Sequence, residues 1–194
     1  MLAGVIEAAA NADRYGTSLP EIKALSLGTG SVVLPVEQNA PGEDPALVQH
    51  KAEATLLRDL GKLATSILDD PPDAASFHAH VLLGGLIPAH AAQIVTDGPI
   101  VRMSPLVQPV PGAAGRPWDL PPGLTGLEFT ELRDLDMDAI EQSQVELIGT
   151  LARGWLDDKV LNQPIRANGK TFEVEIGQRW YRDAKAQARG LGLI

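Results

Sequence analysis

Apolar residues near the start of the chain fall at Leu2, Val5, Ile6 and Ala9, the i, i+3, i+4, i+7 spacing of one buried helical face. Tyr15-Gly16 predicts the end of that helix, because glycine takes a left-handed C-cap without a Cβ clash. Ile22, Ala24, Leu25 and Leu27 then form a short apolar run broken only by Lys23 and Ser26, and Gly28-Thr29-Gly30 closes it. Such a run suits a strand covered on both faces, as in a parallel sheet. A helix feeding a strand of this kind is the second half of a βαβ unit, so the first half is expected upstream of Met1. Polar, turn-rich residues 39–44 follow. The stripe Ala52, Leu56, Leu60, Leu63, Ile67 predicts a long amphipathic helix from about Ala46 to Leu68, ended by Asp69-Asp70-Pro71-Pro72.

Further along, Ala74 to Leu83 predicts a helix stopped at Gly84-Gly85, and Ile100 to Met103 a short strand after Asp97-Gly98-Pro99. Residues 105–126 are rich in proline and glycine and predict an extended surface or functional loop. Asp138 followed by Glu141 has the spacing of an N-cap and its acidic N3 residue. Ile140, Leu147, Ile148, Leu151 and Trp155 then line one helical face. Asn168-Gly169 marks a hairpin turn whose outgoing arm alternates Phe172, Val174 and Ile176 with Thr171, Glu173 and Glu175. A basic, polar helix from about Gln178 to Arg189 ends the pattern. The predicted strand at Ile22–Leu27 has no evident parallel neighbour in this pattern, so the expectation is a partial sheet.

Composition narrows the function classes. At 194 residues the length suits one core, and aromatics at only 4% mean that Leu, Ile, Val and Ala build it. The formal net charge of -9 opposes nucleic-acid binding, which needs a basic footprint, and weakly opposes tight docking on an anionic membrane. With no cysteine, disulfides, thiolate nucleophiles and Cys-ligated zinc are excluded. No basic segment precedes an apolar stretch at the start, and no run approaches a membrane span. A cytoplasmic location, with peripheral membrane contact as the variant, is the expectation.

The segment Ile22-Lys23-Ala24-Leu25-Ser26-Leu27-Gly28-Thr29-Gly30-Ser31 resembles the Ser-Leu-Gly-Thr-Gly strand and turn of patatin-like phospholipases. Met1 to Ala8 is similar to the helix that follows that family's Asn-Pro segment. Ile100-Val101-Arg102-Met103-Ser104-Pro105 is similar to its aromatic-aromatic-Arg-x-x-Pro strand, with Ile and Val replacing the aromatics. The resemblance implies an α/β class, as the C-terminal part of a three-layer α/β/α fold. It also implies an acyl hydrolase that uses a Ser in Gly-x-Ser-x-Gly, an Asp base and a Gly-rich oxyanion loop, without metal or organic cofactor. None of those catalytic elements maps onto this sequence: Gly16-Thr17-Ser18 and Gly30-Ser31 are not nucleophile elbows, and Asp97-Gly98-Pro99 lies on the wrong side of the Gly-Thr-Gly turn. The expectation is therefore no catalytic, cofactor-binding or metal residue here. Residues 1–105 would form the C-terminal part of the patatin-like domain, and residues 106–194 a loop and helical/hairpin extension. The chain would be inactive alone and act on a lipid or acyl ester once an N-terminal half supplies the Ser–Asp dyad. A non-catalytic scaffold and one half of a split hydrolase are the alternatives.

Other residues admit chemistry but favour plainer roles. Ser26 to Ser31 could cradle a phosphate on exposed amides, yet lacks the P-loop lysine, and a tight turn beside a site is the simpler expectation. His78, His80 and His90 lack a ligand spacing and suit solvated positions. Asp134, Asp136, Asp138 and Glu141 suit helix capping better than acid–base work. Trp118 suits a packed loop anchor. Arg179, Arg182, Lys185 and Arg189 suit a solvated face, or contact with an acidic partner or lipid head groups.

Overall fold

The computed structural model describes residues 1–49, 73–87, 94–113, 115–135, 141–168 and 173–194. It is a mixed α/β arrangement. Helix α1 (Leu2–Ala10) and the short α2 (Ala12–Tyr15) are separated by Asn11, and Gly16 closes α2 at φ +62° in the left-handed region. Strand β1 (Ala24–Leu27) leads through the Gly-Thr-Gly turn into β2 (Ser31–Val32). Residues 73–82 form α3, and Gly84, at φ +76°, follows its end. Strands β3 (Ile94–Val95), β4 (Ile100–Met103), β5 (Pro105–Val107), β6 (Val110–Pro111) and β7 (Trp118–Asp119) come next. Helices α4 (Gly126–Arg133) and α5 (Gln142–Leu156) precede β8 (Leu161–Asn162), β9 (Ile165–Asn168) and β10 (Glu173–Ile176), and α6 (Tyr181–Gly190) ends the order.

Four small sheets result. β1 pairs parallel with β4, β2 parallel with β5, and β5 antiparallel with β8. β10 lies between β3, which is parallel to it, and β9, which is antiparallel; β6 and β7 form a hairpin. The pairing of β1 with β4 corrects the expectation that the first strand has no parallel neighbour. Its partner sits more than seventy positions away, behind segments with no strand signal, so the local pattern could not supply it. β1 is also not covered on both faces: three of its residues are half-buried and Leu27 is 73% exposed. The fully buried strand is β4.

The side chains of β4 alternate between two cores, as the strand period of two requires. Ile100 joins Val5 of α1, Ala79 of α3, Val174 and Ile176 on one side. Val101 and Met103 meet Ala184 and Ala188 of α6 on the other, where alanines with no exposed surface let the helix come close. A third core gathers Val107, Phe129, Leu132, Leu147, Leu151 and Val160, which seats α4 and α5 on the β5 region. Strand pairs therefore join segments on either side of residue 105.

Four boundaries differ from the sequence pattern. The helix expected to end at Tyr15-Gly16 is broken at Asn11, and Ile6, expected on its buried face, is 50% exposed. Pro45–Leu47 is a single 3-10 turn and Gln49 bridges Val36, so no helix begins at Ala46; residues 50–72 of that predicted helix lie outside the described residues. α5 begins at Gln142 with Glu141 as its N-cap, because Gln144 at N3 accepts the Glu141 amide at 3.2 Å. Asp138 and Ile140 lie outside the described residues. The stretch expected as an extended loop contains β5, β6 and β7. No described helix is long and apolar enough to cross a membrane.

The start of α4 makes a testable pH contribution. The Glu128 carboxylate accepts from the Thr125 amide at 2.8 Å and from its hydroxyl at 2.7 Å, and these bonds hold its pKa below the ordinary carboxylate range. A carboxylate with a depressed folded pKa stabilises the fold above its unfolded value, and the contribution is lost as pH falls through the folded one. Glu128→Gln is expected to keep the capping geometry while flattening the acid limb of a stability–pH curve. Thr125→Ala is expected to cost about 1 kcal/mol at neutral pH by chemical denaturation.

Candidate functional site

β4 runs into β5 through Ser104, and β1 runs into β2 beside it in the same direction. The two paths fall out of step at their junction. Leu27 lies opposite Met103 and Ser31 opposite Leu106, so Gly28, Thr29 and Gly30 stand against only Ser104 and Pro105. This is a one-residue bulge, a feature that leaves backbone groups unpaired and often borders functional sites. Glycine is required at both ends of it. A Cβ on Gly28 would fall 2.5 Å from Ser104 Oγ, and Gly30 sits at φ +115°. The Gly28 amide still donates to the Met103 carbonyl at 3.0 Å. Among the described residues, the amides of Thr29 and Gly30 have no partner.

The floor under the bulge comes from the far end of the chain. The β5–β8 pairing brings Asn162 and Gln163 to Ser104, whose carbonyl accepts from the Gln163 amide at 2.8 Å. Gln163 Oε1 then accepts from both Ser31 Oγ at 3.0 Å and Ser104 Oγ at 3.2 Å. Asn162, on β8, is 2% exposed and joins β4, α5 and the turns at Ser104 and Gln178. Its Nδ2 donates to the carbonyls of Arg102 and Gln178, and its Oδ1 accepts from the Ser104 amide and from Trp155 Nε1. Arg102, on the same face of β4 as Ile100, ion-pairs through Nη1 with Asp73 of α3, and its buried Nε has no partner.

These groups border a cleft of about 590 Å³ at the C-terminal ends of the parallel strands. That is the position where open α/β sheets place ligands, and the volume falls within the range of small-molecule sites. Arg102, Ser104, Gln163 and Asp73 supply its polar side; Val32, Val33, Leu132 and Leu135 supply an apolar wall. Arg133 stands at the margin, held by Asp134 at 2.8 Å and donating to the Ala46 carbonyl at 3.2 Å. The Arg133 guanidinium keeps the Asp134 carboxyl below its ordinary range, and Asp134 raises Arg133 in return.

As for nucleophilic chemistry, the Ser104 hydroxyl is directed at an amide oxygen, which is not a base. A serine hydroxyl does meet a carboxylate at Ser18 and Glu21, 2.7 Å apart, but this is the exposed capping box of a 3-10 turn.

The residues singled out from sequence fare differently. Ser26 to Ser31 does border the cleft, as the bulge. His78 is exposed, but His80 is fully buried instead of solvated: Nε2 lies 2.9 Å from the Leu86 carbonyl, and Gly85 and Gly98 stand close to its ring. His90 lies outside the described residues, among which no group of His, Asp and Glu could hold a metal. Asp134 ends α4 as its C-cap instead of starting a helix, Glu141 caps α5, and Asp136 and Asp138 lie outside the described residues. Trp118 sits in β7, half-buried against the third core. Arg182 pairs with Asp158 and Asp183, and Lys185 lies 5.4 Å above the Tyr181 ring, remote from the bulge in sequence and outside the cleft lining. Arg179 gives its carbonyl to the Asn162 amide, and Arg189 borders a separate shallow depression with Arg182 and Lys185. Asn162, Gln163 and Asp73 were not signalled by the sequence: isolated Asn, Gln and Asp form no motif, and only long-range pairing collects them. No family model, curated protein or solved structure matches the chain.

Proposed function

We propose that this chain forms the C-terminal side of a patatin-like lipid acyl hydrolase domain and lines part of its acyl-ester cleft, with the reactive Ser–Asp dyad supplied by residues outside it. The observation that carries this is the amphiphilic cleft at the bulge: donors on its floor face an apolar wall, a division that suits a substrate with a polar ester or head group and an acyl chain. The Ser-Leu-Gly-Thr-Gly segment resembles the family's turn, and here that turn is the bulge itself, directly beside the Arg102–Pro105 segment of the second resemblance. Among the described residues β1 has β4 as its one neighbour and Leu27 is exposed, which favours a further strand beside it.

The test is chemical. An alkyl fluorophosphonate captures a serine activated by a neighbouring base, and p-nitrophenyl butyrate reports turnover. The purified chain is expected to acquire no adduct and to show no saturable turnover. A stoichiometric adduct on Ser31, Ser104 or any other serine of this chain would overturn the proposal, because the nucleophile would then lie within it.

A further inference from the structure

Several hydrogen-bond donors at the cleft have no partner among the described residues. The Thr29 and Gly30 amides have no partner among the described residues. Gln163 is only 5% exposed and lines the cleft, and its Oε1 is fully engaged by two serine hydroxyls. Its Nε2 is left with no partner among the described residues. Arg102 spends one nitrogen on Asp73 and borders the same space. Arg102 is 8% exposed and its buried Nε has no acceptor, which costs free energy, while the other donors open onto the cleft; together they suit an acceptor-rich ligand.

We propose that this cleft binds a phosphate-type oxyanion, either free phosphate or the phosphodiester of a head group. The oxyanion would accept from the Thr29 and Gly30 amides, from Gln163 Nε2 and from the guanidinium of Arg102. Successive unpaired amides at a glycine turn form a concavity suited to an anion. Asp73 is the opposing element: its carboxylate neutralises Arg102 and repels an incoming anion, so the site is of modest affinity as built. This inference stands apart from the hydrolase proposal, because binding is read without turnover and needs no dyad.

The geometry dictates two substitutions of opposite sign. Gln163→Glu keeps an oxygen for Ser31 and Ser104 to donate to but replaces the free donor with a negative oxygen. Asp73→Asn frees the Arg102 charge. Two-dimensional amide NMR of the whole chain, titrated separately with inorganic phosphate and with dimethyl phosphate, reads the outcome. The Thr29 and Gly30 amides and the Gln163 side-chain NH2 should shift saturably with at least one titrant. Gln163→Glu should weaken that binding about tenfold or more, the loss of one charge-assisted contact, and Asp73→Asn should strengthen it several-fold. A preference for dimethyl phosphate identifies a diester head group, and a preference for inorganic phosphate identifies the free ion. Absence of shifts at these amides with both titrants would overturn the inference. So would two variants, each retaining native amide dispersion, that moved the affinity in the same direction.

Discussion

Asn162→Ala is expected to lower unfolding stability by about 3 kcal/mol or more, measured by urea denaturation at neutral pH. The Asn162 side chain makes four hydrogen bonds: to the Arg102 and Gln178 carbonyls, at 3.0 and 2.8 Å, and from the Ser104 amide and Trp155 Nε1, at 3.0 and 3.2 Å. Truncation leaves these groups without their partner in a site that admits almost no water, and each orphaned buried group costs about 1–3 kcal/mol. The loss falls short of a simple sum because the strand ends can relax. Asn162→Asp is the informative companion. It retains an acceptor for Ser104 and Trp155 but cannot donate to either carbonyl, and it brings a charge into a buried position. It should therefore destabilise as well, and recover in part at acidic pH, where the protonated carboxyl regains one donor.

Phe129→Ala is the second large effect, at about 3–5 kcal/mol. Phe129 has no exposed surface and is the largest of the fully buried side chains among the described residues. It lies in the core formed with Val107, Leu132, Leu147, Leu151 and Val160, so its removal leaves a cavity between α4, α5 and the β5 region. The consequence reaches the cleft, because Leu132 and Arg133 on the same helix form part of its border. Phe129→Leu, which refills much of the volume, should recover most of the stability. If Phe129→Ala cost under about 1 kcal/mol, α4 would not be anchored as described.

These two residues show what the sequence could convey and what it could not. Helical faces were legible in part: Leu147 and Leu151 of α5 are buried as their spacing implies, whereas Ile6 of α1 is 50% exposed. Gly84 follows the end of α3, and Gly16 closes α2, as the left-handed preference of glycine implies. The alternation around Val174 and Ile176 likewise placed both inside, at 2% and 1% exposure. The strand at Ile100–Met103 was legible with its boundaries. Its role as the buried partner of β1 was not, because β-pairing is a long-range property that no local window carries. The same limit hid the site. Gly-Thr-Gly was visible as a turn, but the bulge exists only in the difference between the β1–β4 and β2–β5 registers. Gln163 and Asn162 acquire meaning only when β8 pairs with β5. His80 failed for a different reason. A histidine on a helix reads as solvated by default, and its burial depends on Gly85 and Gly98 leaving room for the ring.

A lipid carrying a photoreactive diazirine on its acyl chain, mixed with the purified chain, irradiated and mapped by peptide mass spectrometry, asks most directly whether the bulge at the β1 and β4 ends is the functional cleft. Labelling should concentrate on Val32, Val33, Leu132 and Leu135, with Val32→Asp, at an exposed position of the wall, reducing it. Labelling confined to the α6 surface around Arg182, Lys185 and Arg189, with none at the cleft wall, would contradict it.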